Sequence, residues 1–346
     1  MPVPIESFGE RFHSIFARVR SWRLLKLLLT GFFTVALIGM IAWGSLAIYF
    51  SNLVPSLRLV TAAAFAGASV ALLRRPPPSR RRLLIFLGAF AVLVAWWLTI
   101  PPSNVRDWQP DVAVLPWAEI NGNKVTLHNV RDCRYRTESD FDVRHHDRTL
   151  DLRQLGTIDL FLSYWGAKSI AHTMLSFGFG DEDPVCISIE TRKELGESYS
   201  ALKGIFKQYE LTYVVAEERD VVRLRTNYRD EQVYLYRLQT KPELIRAVFL
   251  DYLASVNSLS QKAEWYNALT SNCTTNIRGH MRPYVGETHW DWRVLFNGHI
   301  DELAYKRGAL DQSLPFAELK ARAHINERAR AADPLSFSKH IRNDQQ

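Results

Sequence analysis

The 346-residue sequence predicts an α+β domain carried behind N-terminal transmembrane helices, on three observations. The stretch from Leu27 to Leu57 holds no charged side chain. Short alternating runs broken by turn residues occupy most of the chain from 117 to 238. Two segments of helical character, at 241–259 and from Cys273 onward, then follow.

The apolar stretch justifies the membrane helices. Leu27–Phe50 is 24 residues long, enough to cross a bilayer core at about 1.5 Å per residue. A second span at 57–73 is shorter and carries Arg58 near its end, where a long side chain reaches back to the interface. A third, at 83–100, contains Trp96 and Trp97, which settle at headgroup level. The first run is too long for the apolar core of a cleaved signal peptide. Arg11, Arg18, Arg20, Arg23 and Lys26 precede the first span, and "RRPPPSRRR" at 74–82 separates the second from the third. Basic flanks stay in the cytoplasm, so three crossings put everything after about residue 105 outside it. The expected organisation is a multi-pass anchor in the inner membrane over 1–105 and, in a bacterium, a periplasmic domain over 106–346 with a helical tail.

Charge follows the same division. Residues 1–105 hold 11 of the 43 Lys and Arg but only 2 of the 36 Asp and Glu, which leaves 32 basic and 34 acidic side chains beyond. The net charge of +7 therefore reports membrane topology and gives no support for nucleic-acid binding. Expected partners are membrane lipids and a lipid-linked or cell-wall substrate. No cofactor or metal is expected.

In the outer domain, "WAEINGNKVTLHNV" at 117–130 reads as a hairpin about its Asn-Gly. Strands are expected at 158–166, 169–179, 184–190, 209–215 and 231–238, giving an antiparallel sheet of five or six. Pro242 opens a helix with Leu244, Val248, Leu253 and Val256 near helical spacing. The tail from about 315 reads as one charged, solvated helix, and the Arg- and Glu-rich runs around 192 and 219 as salt-bridged surface.

"ALTSNCTTNIRGH" at 268–280 carries the chemistry. Asn272 is the expected N-cap, Cys273 sits in the first turn and Pro283 is the stop. A thiol at the positive end of a helix dipole is biased toward thiolate. The other two cysteines, Cys133 and Cys186, either form a disulfide or join Cys273 as buried free thiols. The thiol needs a base. His280 lies seven residues further along the helix, roughly 10 Å up the axis, and is too far. His145 and His146 lie in a polar, loop-like stretch. His172 stands among small and apolar neighbours in "SIAHTMLSF", where an imidazole has either a satisfied structural bond or a task. A hairpin turning near 181 sets position 172 opposite about 191, which makes Glu190 the candidate third member. The N–H groups of the Cys273 helix, with Asn272 or Tyr164, would serve as oxyanion donors.

The segments "DLFLSYWG", "IAHTMLSFGF" and "EWYNALTSNCTTNIR", with the long run from "ISIETRKELG" to "EQVYLYRL", resemble the Lnb N-terminal periplasmic domain family. The resemblance implies a papain-like thiol fold of the permuted NlpC type, with the histidine strand before the cysteine helix, as the order His172, Cys273 has it. It also implies acyl chemistry: the family's named member moves an acyl chain within a lipoprotein to its N-terminal amine. That member has its spans after the domain, whereas here they precede it. The expected function is thiol-dependent acyl transfer. The competing readings are a peptidoglycan peptidase or amidase, and a catalytically idle binding module.

Overall fold

The computed structural model describes residues 8–74, 77–285, 293 and 297–343. It comprises two compact units, 1–101 and 102–346. In the first, helices α1 (Phe8–Tyr49), α2 (Pro55–Leu73) and α3 (Arg80–Thr99) provide three segments long and apolar enough to cross a membrane: Trp22–Tyr49, Pro55–Leu73 and Arg80–Thr99. Their inward faces meet through Leu37, Leu73 and Phe86, and through Ile48, Ala62 and Leu93. Gly44 allows this approach, because a Cβ there would run into the Phe65 ring and Leu93. Outward, Leu27, Phe32, Val35 and Val92 are exposed, a surface suited to lipid.

In the second unit, strands β1 (Trp117–Asn121) and β2 (Lys124–Arg131) form the expected hairpin, turning at Gly122 with φ of 63°. The short pair β3 (Arg134–Tyr135) and β4 (Phe141–Asp142) and strand β5 (His145–Asp151) follow. Strands β6 (Leu155–Tyr164), β7 (His172–Phe179), β8 (Val185–Arg192), β9 (Glu210–Glu217) and β10 (Gln232–Arg237) supply the rest, with helix α4 (Ala201–Ile205) after β8 and α5 (Glu218–Arg223) after β9. The main sheet has eight strands in the order β1-β2-β9-β8-β7-β6-β10, with β5 also on β2. It is mixed, not antiparallel throughout, because β2 and β9 run parallel and bridge at Arg131 and Ala216. The polar stretch of His145 and His146 is a strand, held by its ladder to β2 despite its hydrophilic composition.

Helices α6 (Pro242–Gln261) and α7 (Cys273–Val285) pack on one face, where Phe177, Phe179, Tyr213, Phe249 and Tyr252 form the main core. Contrary to the expected stop at Pro283, α7 runs on to Val285, so the proline falls in the last turn of the helix and does not end it. The tail departs further from expectation. After α8 (Ile300–Lys306) it breaks into α9 (Phe316–Ala323), α10 (Asn326–Ala331) and α11 (Phe337–His340). Ile325, Ala329, Phe337 and Ile341 are buried with Phe161, Met174, Val214 and Val233 in a second core. The chain leaves helical geometry at His324 and donates Ile325 N–H to the Val233 carbonyl, so the apolar side chains turn inward. Burial on both faces explains why β6 to β9 carry so few exposed positions.

The disulfide alternative is excluded: all three cysteines are free and buried. Cys133 packs with Tyr135 and Leu224, Cys186 lies in the second core, and Cys273 in the main one, so no two share a cluster.

Candidate active site

Cys273 opens α7 through reciprocal capping. Asn272 Oδ1 accepts from the Thr275 N–H at 3.0 Å, and Thr275 Oγ1 accepts from the Asn272 N–H at 2.8 Å. His172 opens β7, and its imidazole lies within electrostatic reach of the Cys273 sulfur. The thiol and imidazole therefore meet where the strand and the helix both begin. His172 Nε2 lies 2.7 Å from Ser188 Oγ and 3.1 Å from Glu190 Oε1, which leaves Nδ1 as the nitrogen for sulfur. Met174 pairs with Ser188, and extending that register by two residues sets His172 opposite Glu190, one place from the expected 191. Glu190 thus shares the face of His172.

Electrostatics separate this thiol from the other two. Burial pushes the Cys133 thiol up to about 12, with the Asp220 carboxylate adding to the rise, and burial pushes Cys186 well up too. At Cys273 burial also raises, but the His172 hydrogen bond and charge, the Thr173 N–H and the Thr274 hydroxyl outweigh it, and the thiol is lowered. For His172, burial and the Arg225 charge lower, yet the Glu190 carboxylate and the bonds to Cys273 and Glu190 prevail and push it up to about 9. Glu190, despite burial, is held well below the carboxylate range by His172 and Arg225. Each of these shifts favours the charged form, thiolate, imidazolium and carboxylate, at the three neighbouring groups.

The two expected oxyanion donors are placed differently. Asn272 lines the cleft, but its amide donates to the Ala268 carbonyl at 2.9 Å. Tyr164 does not line it, and its hydroxyl donates to the Gly298 carbonyl at 2.8 Å. The structure adds Asn297, which no local pattern singles out. Its Oδ1 accepts from Ala171 N at 2.9 Å, and its Nδ2 donates to Ala171 O and Thr274 Oγ1, both at 2.6 Å, 3.9 Å from Cys273 Sγ. Asn297 thereby ties the start of β7 to the start of α7. Gly298 allows this seat, because a Cβ would collide with the Lys168 carbonyl and the Ile170 nitrogen. Gly298→Ala should displace Asn297 and slow Cys273 alkylation about tenfold, with a smaller effect on melting temperature; unchanged alkylation would show that Asn297 does not set the dyad.

A cleft of about 860 Å³ exposes the dyad. Its lining includes apolar Trp165, Ile170, Tyr199, Ile205 and Leu269 and charged Arg131, Arg225, Arg229, Glu138 and Glu231.

The α+β scaffold thus brings a capped cysteine and a carboxylate-braced histidine to one cleft. Within this chain, residues 142–298 match the model of the Lnb N-terminal periplasmic domain family. The matched segment contains His172, Glu190, Cys273 and Asn297. Comparison with curated proteins gives no match, and comparison with solved structures gives none.

Proposed function

We propose that the chain is a membrane-anchored, periplasmic thiol acyltransferase of permuted papain-like fold, working through an acyl-cysteine at Cys273. The observation that carries this reading is that Cys273, at a capped helix start, lines the same cleft as His172, whose ring is held by Ser188 and Glu190; the lowered thiol and raised imidazole agree with it. The description of the matched family as periplasmic, together with three N-terminal helices able to span a membrane, supports an inner-membrane anchor with the domain outside the cytoplasm.

The thiolate attacks an ester carbonyl, the C–O bond breaks, and the leaving alkoxide takes the proton from His172. An acceptor amine then attacks the thioester, gives its proton back to His172 and releases the thiolate. The Cys273 and Thr274 N–H groups, which precede the Thr275 N–H that Asn272 caps, have no intrahelical acceptor and stabilise the oxyanion. The rim favours a lipid-linked substrate over a peptide: Trp165, Ile170, Tyr199 and Leu269 are 45–54 % exposed beside the cleft, an apolar mouth that an acyl chain would cover.

Protein recovered from native membranes should carry a fatty-acyl mass on Cys273 that hydroxylamine removes, and Cys273→Ser should lack the thioester. A peptide mass in its place would make the chain a peptidase or amidase. Unmodified Cys273, on protein whose thiol still reacts fast with iodoacetamide, would end the acyl reading.

A further inference from the structure

The Arg-rich run read as surface contains a buried guanidinium directly behind the dyad. Arg225 lies in a π-helical turn, Leu224–Tyr228, that continues α5, and its side chain is 7 % exposed. Such single π turns often mark functional positions. Its Nη2 donates to Glu190 Oε1 at 2.9 Å and its Nη1 to Glu231 Oε2 at 2.9 Å. Glu190 Oε1 also receives the Ser188 hydroxyl at 2.7 Å and faces His172 Nε2. Glu231, at the foot of β10, takes the Ser163 hydroxyl from β6 on the same Oε2. One cation thus joins two carboxylates, of which only Glu190 touches the imidazole.

We propose that Arg225 is a positioning residue: by bridging Glu190 and Glu231 it holds Glu190 ionised and aimed at His172, and so keeps the Cys273 thiol reactive. Without Arg225, two carboxylates would face one buried site with no shared counter-charge. Either Glu190 would take up a proton or turn away and His172 would lose its partner, or both carboxylates would stay charged and the excess negative charge would disfavour thiolate. The roles of the two ends differ in sign. Removing the Arg225 charge makes the site more negative and raises the thiol, whereas removing the Glu231 charge makes it less negative and leaves the thiol equal or lower. Other groups within electrostatic reach are Arg229 beside Glu231, Cys186 from β8, and the Tyr199, Tyr252 and Tyr266 hydroxyls around the sulfur. All of them remain in each variant, so the comparison isolates Arg225 and Glu231.

The inference rests on Cys273 being the nucleophile, and its readout needs no acyl transfer. Iodoacetamide alkylation of Cys273 is followed across pH in the full-length, detergent-solubilised protein. Arg225→Gln should move the acid limb of the profile upward by at least about one pH unit, or about tenfold in rate within the limb, and Arg225→Lys by less. Glu231→Gln should leave the limb in place or move it down. Should the glutamine variant of Arg225 not fold, the lysine variant and Glu231→Gln carry the same test. Shifts of one sign and similar size in the Arg225 and Glu231 variants would mark a merely structural network, and an unmoved limb in the Arg225 variants would overturn the proposal. An acyl-transfer failure with these opposed shifts intact would leave the relay standing.

Discussion

Iodoacetamide will modify Cys273 at pH 6 faster than it modifies an ordinary thiol, and His172→Ala will slow the pH 6 reaction, by up to ~100-fold where the wild-type thiol is fully ionised. The factor follows from the thiolate fraction: an ordinary thiol with a pKa of about 8.5 is roughly 0.3 % ionised at pH 6. Without His172, burial alone would raise the Cys273 thiol, as it does at Cys133 and Cys186. Those two should stay unlabelled in the folded protein, an internal control on the same chain. The wild-type profile should be flat from the lowered thiol value up to about pH 9, where His172 loses its proton and the unpaired thiolate reacts faster. A single titration at the ordinary thiol value would remove the basis of the proposed enzyme.

The same shifts set the pH dependence of stability. His172 is raised, so its contribution is complete below its unfolded value near 6.5 and is lost as pH climbs through about 9. Cys273 is lowered, so its contribution grows with pH until the unfolded thiol also ionises near 9. Between about 6.5 and 9 the two oppose each other, and the melting temperature should change little. Glu190 is lowered, so its contribution is present above about 4.5 and is lost as pH falls toward its folded value. The loss on the acid side should shrink in Glu190→Gln.

What could be read from the sequence was whatever has a local cause. Asn272, Cys273 and the helix behind them share one short segment, and the cap they form needs no distant partner. His172 stood out because its own strand is apolar. Glu190 came within one residue because a tight hairpin turn fixes register over a short span. Asn297 left no trace, since its partner Ala171 lies 126 residues away in sequence. Arg225 looked like surface charge because composition cannot show that Glu190 and Glu231, from two other elements, close around it. The tail misled for the same reason. Its charges are conspicuous in the sequence, and its few apolar residues matter only once β6, β7 and β10 offer a face to cover.

That covering supports the second large effect: a chain ending at Ala323 will not accumulate as folded protein. The deletion removes Ile325, Ala329, Phe337 and Ile341, each 0–1 % exposed, and bares Phe161, Met174, Val233 and Leu235 beneath them. At about 1.5–3 kcal/mol for each large side chain, the apolar loss alone is comparable with the total stability of many domains, about 5–15 kcal/mol. It also removes Arg342, which bonds Asp159 at 2.8 Å and Glu218 at 2.7 Å, carboxylates whose side chains are 3 % and 0 % exposed. Asp159 retains Arg237, but Glu218 would be left with only the Ser176 hydroxyl among these contacts. Breaking such a buried pair costs about 3–5 kcal/mol, so Arg342→Met should by itself lower the urea midpoint markedly, and Phe337→Ala should cost about 3–5 kcal/mol through its cavity. Because Phe161 and Met174 belong to the strands that carry Tyr164 and His172, either substitution should also broaden the alkylation profile of Cys273 as the midpoint falls. A truncated chain that melts like wild type and keeps its rapid thiol would show that the tail is dispensable and that the second core closes without it.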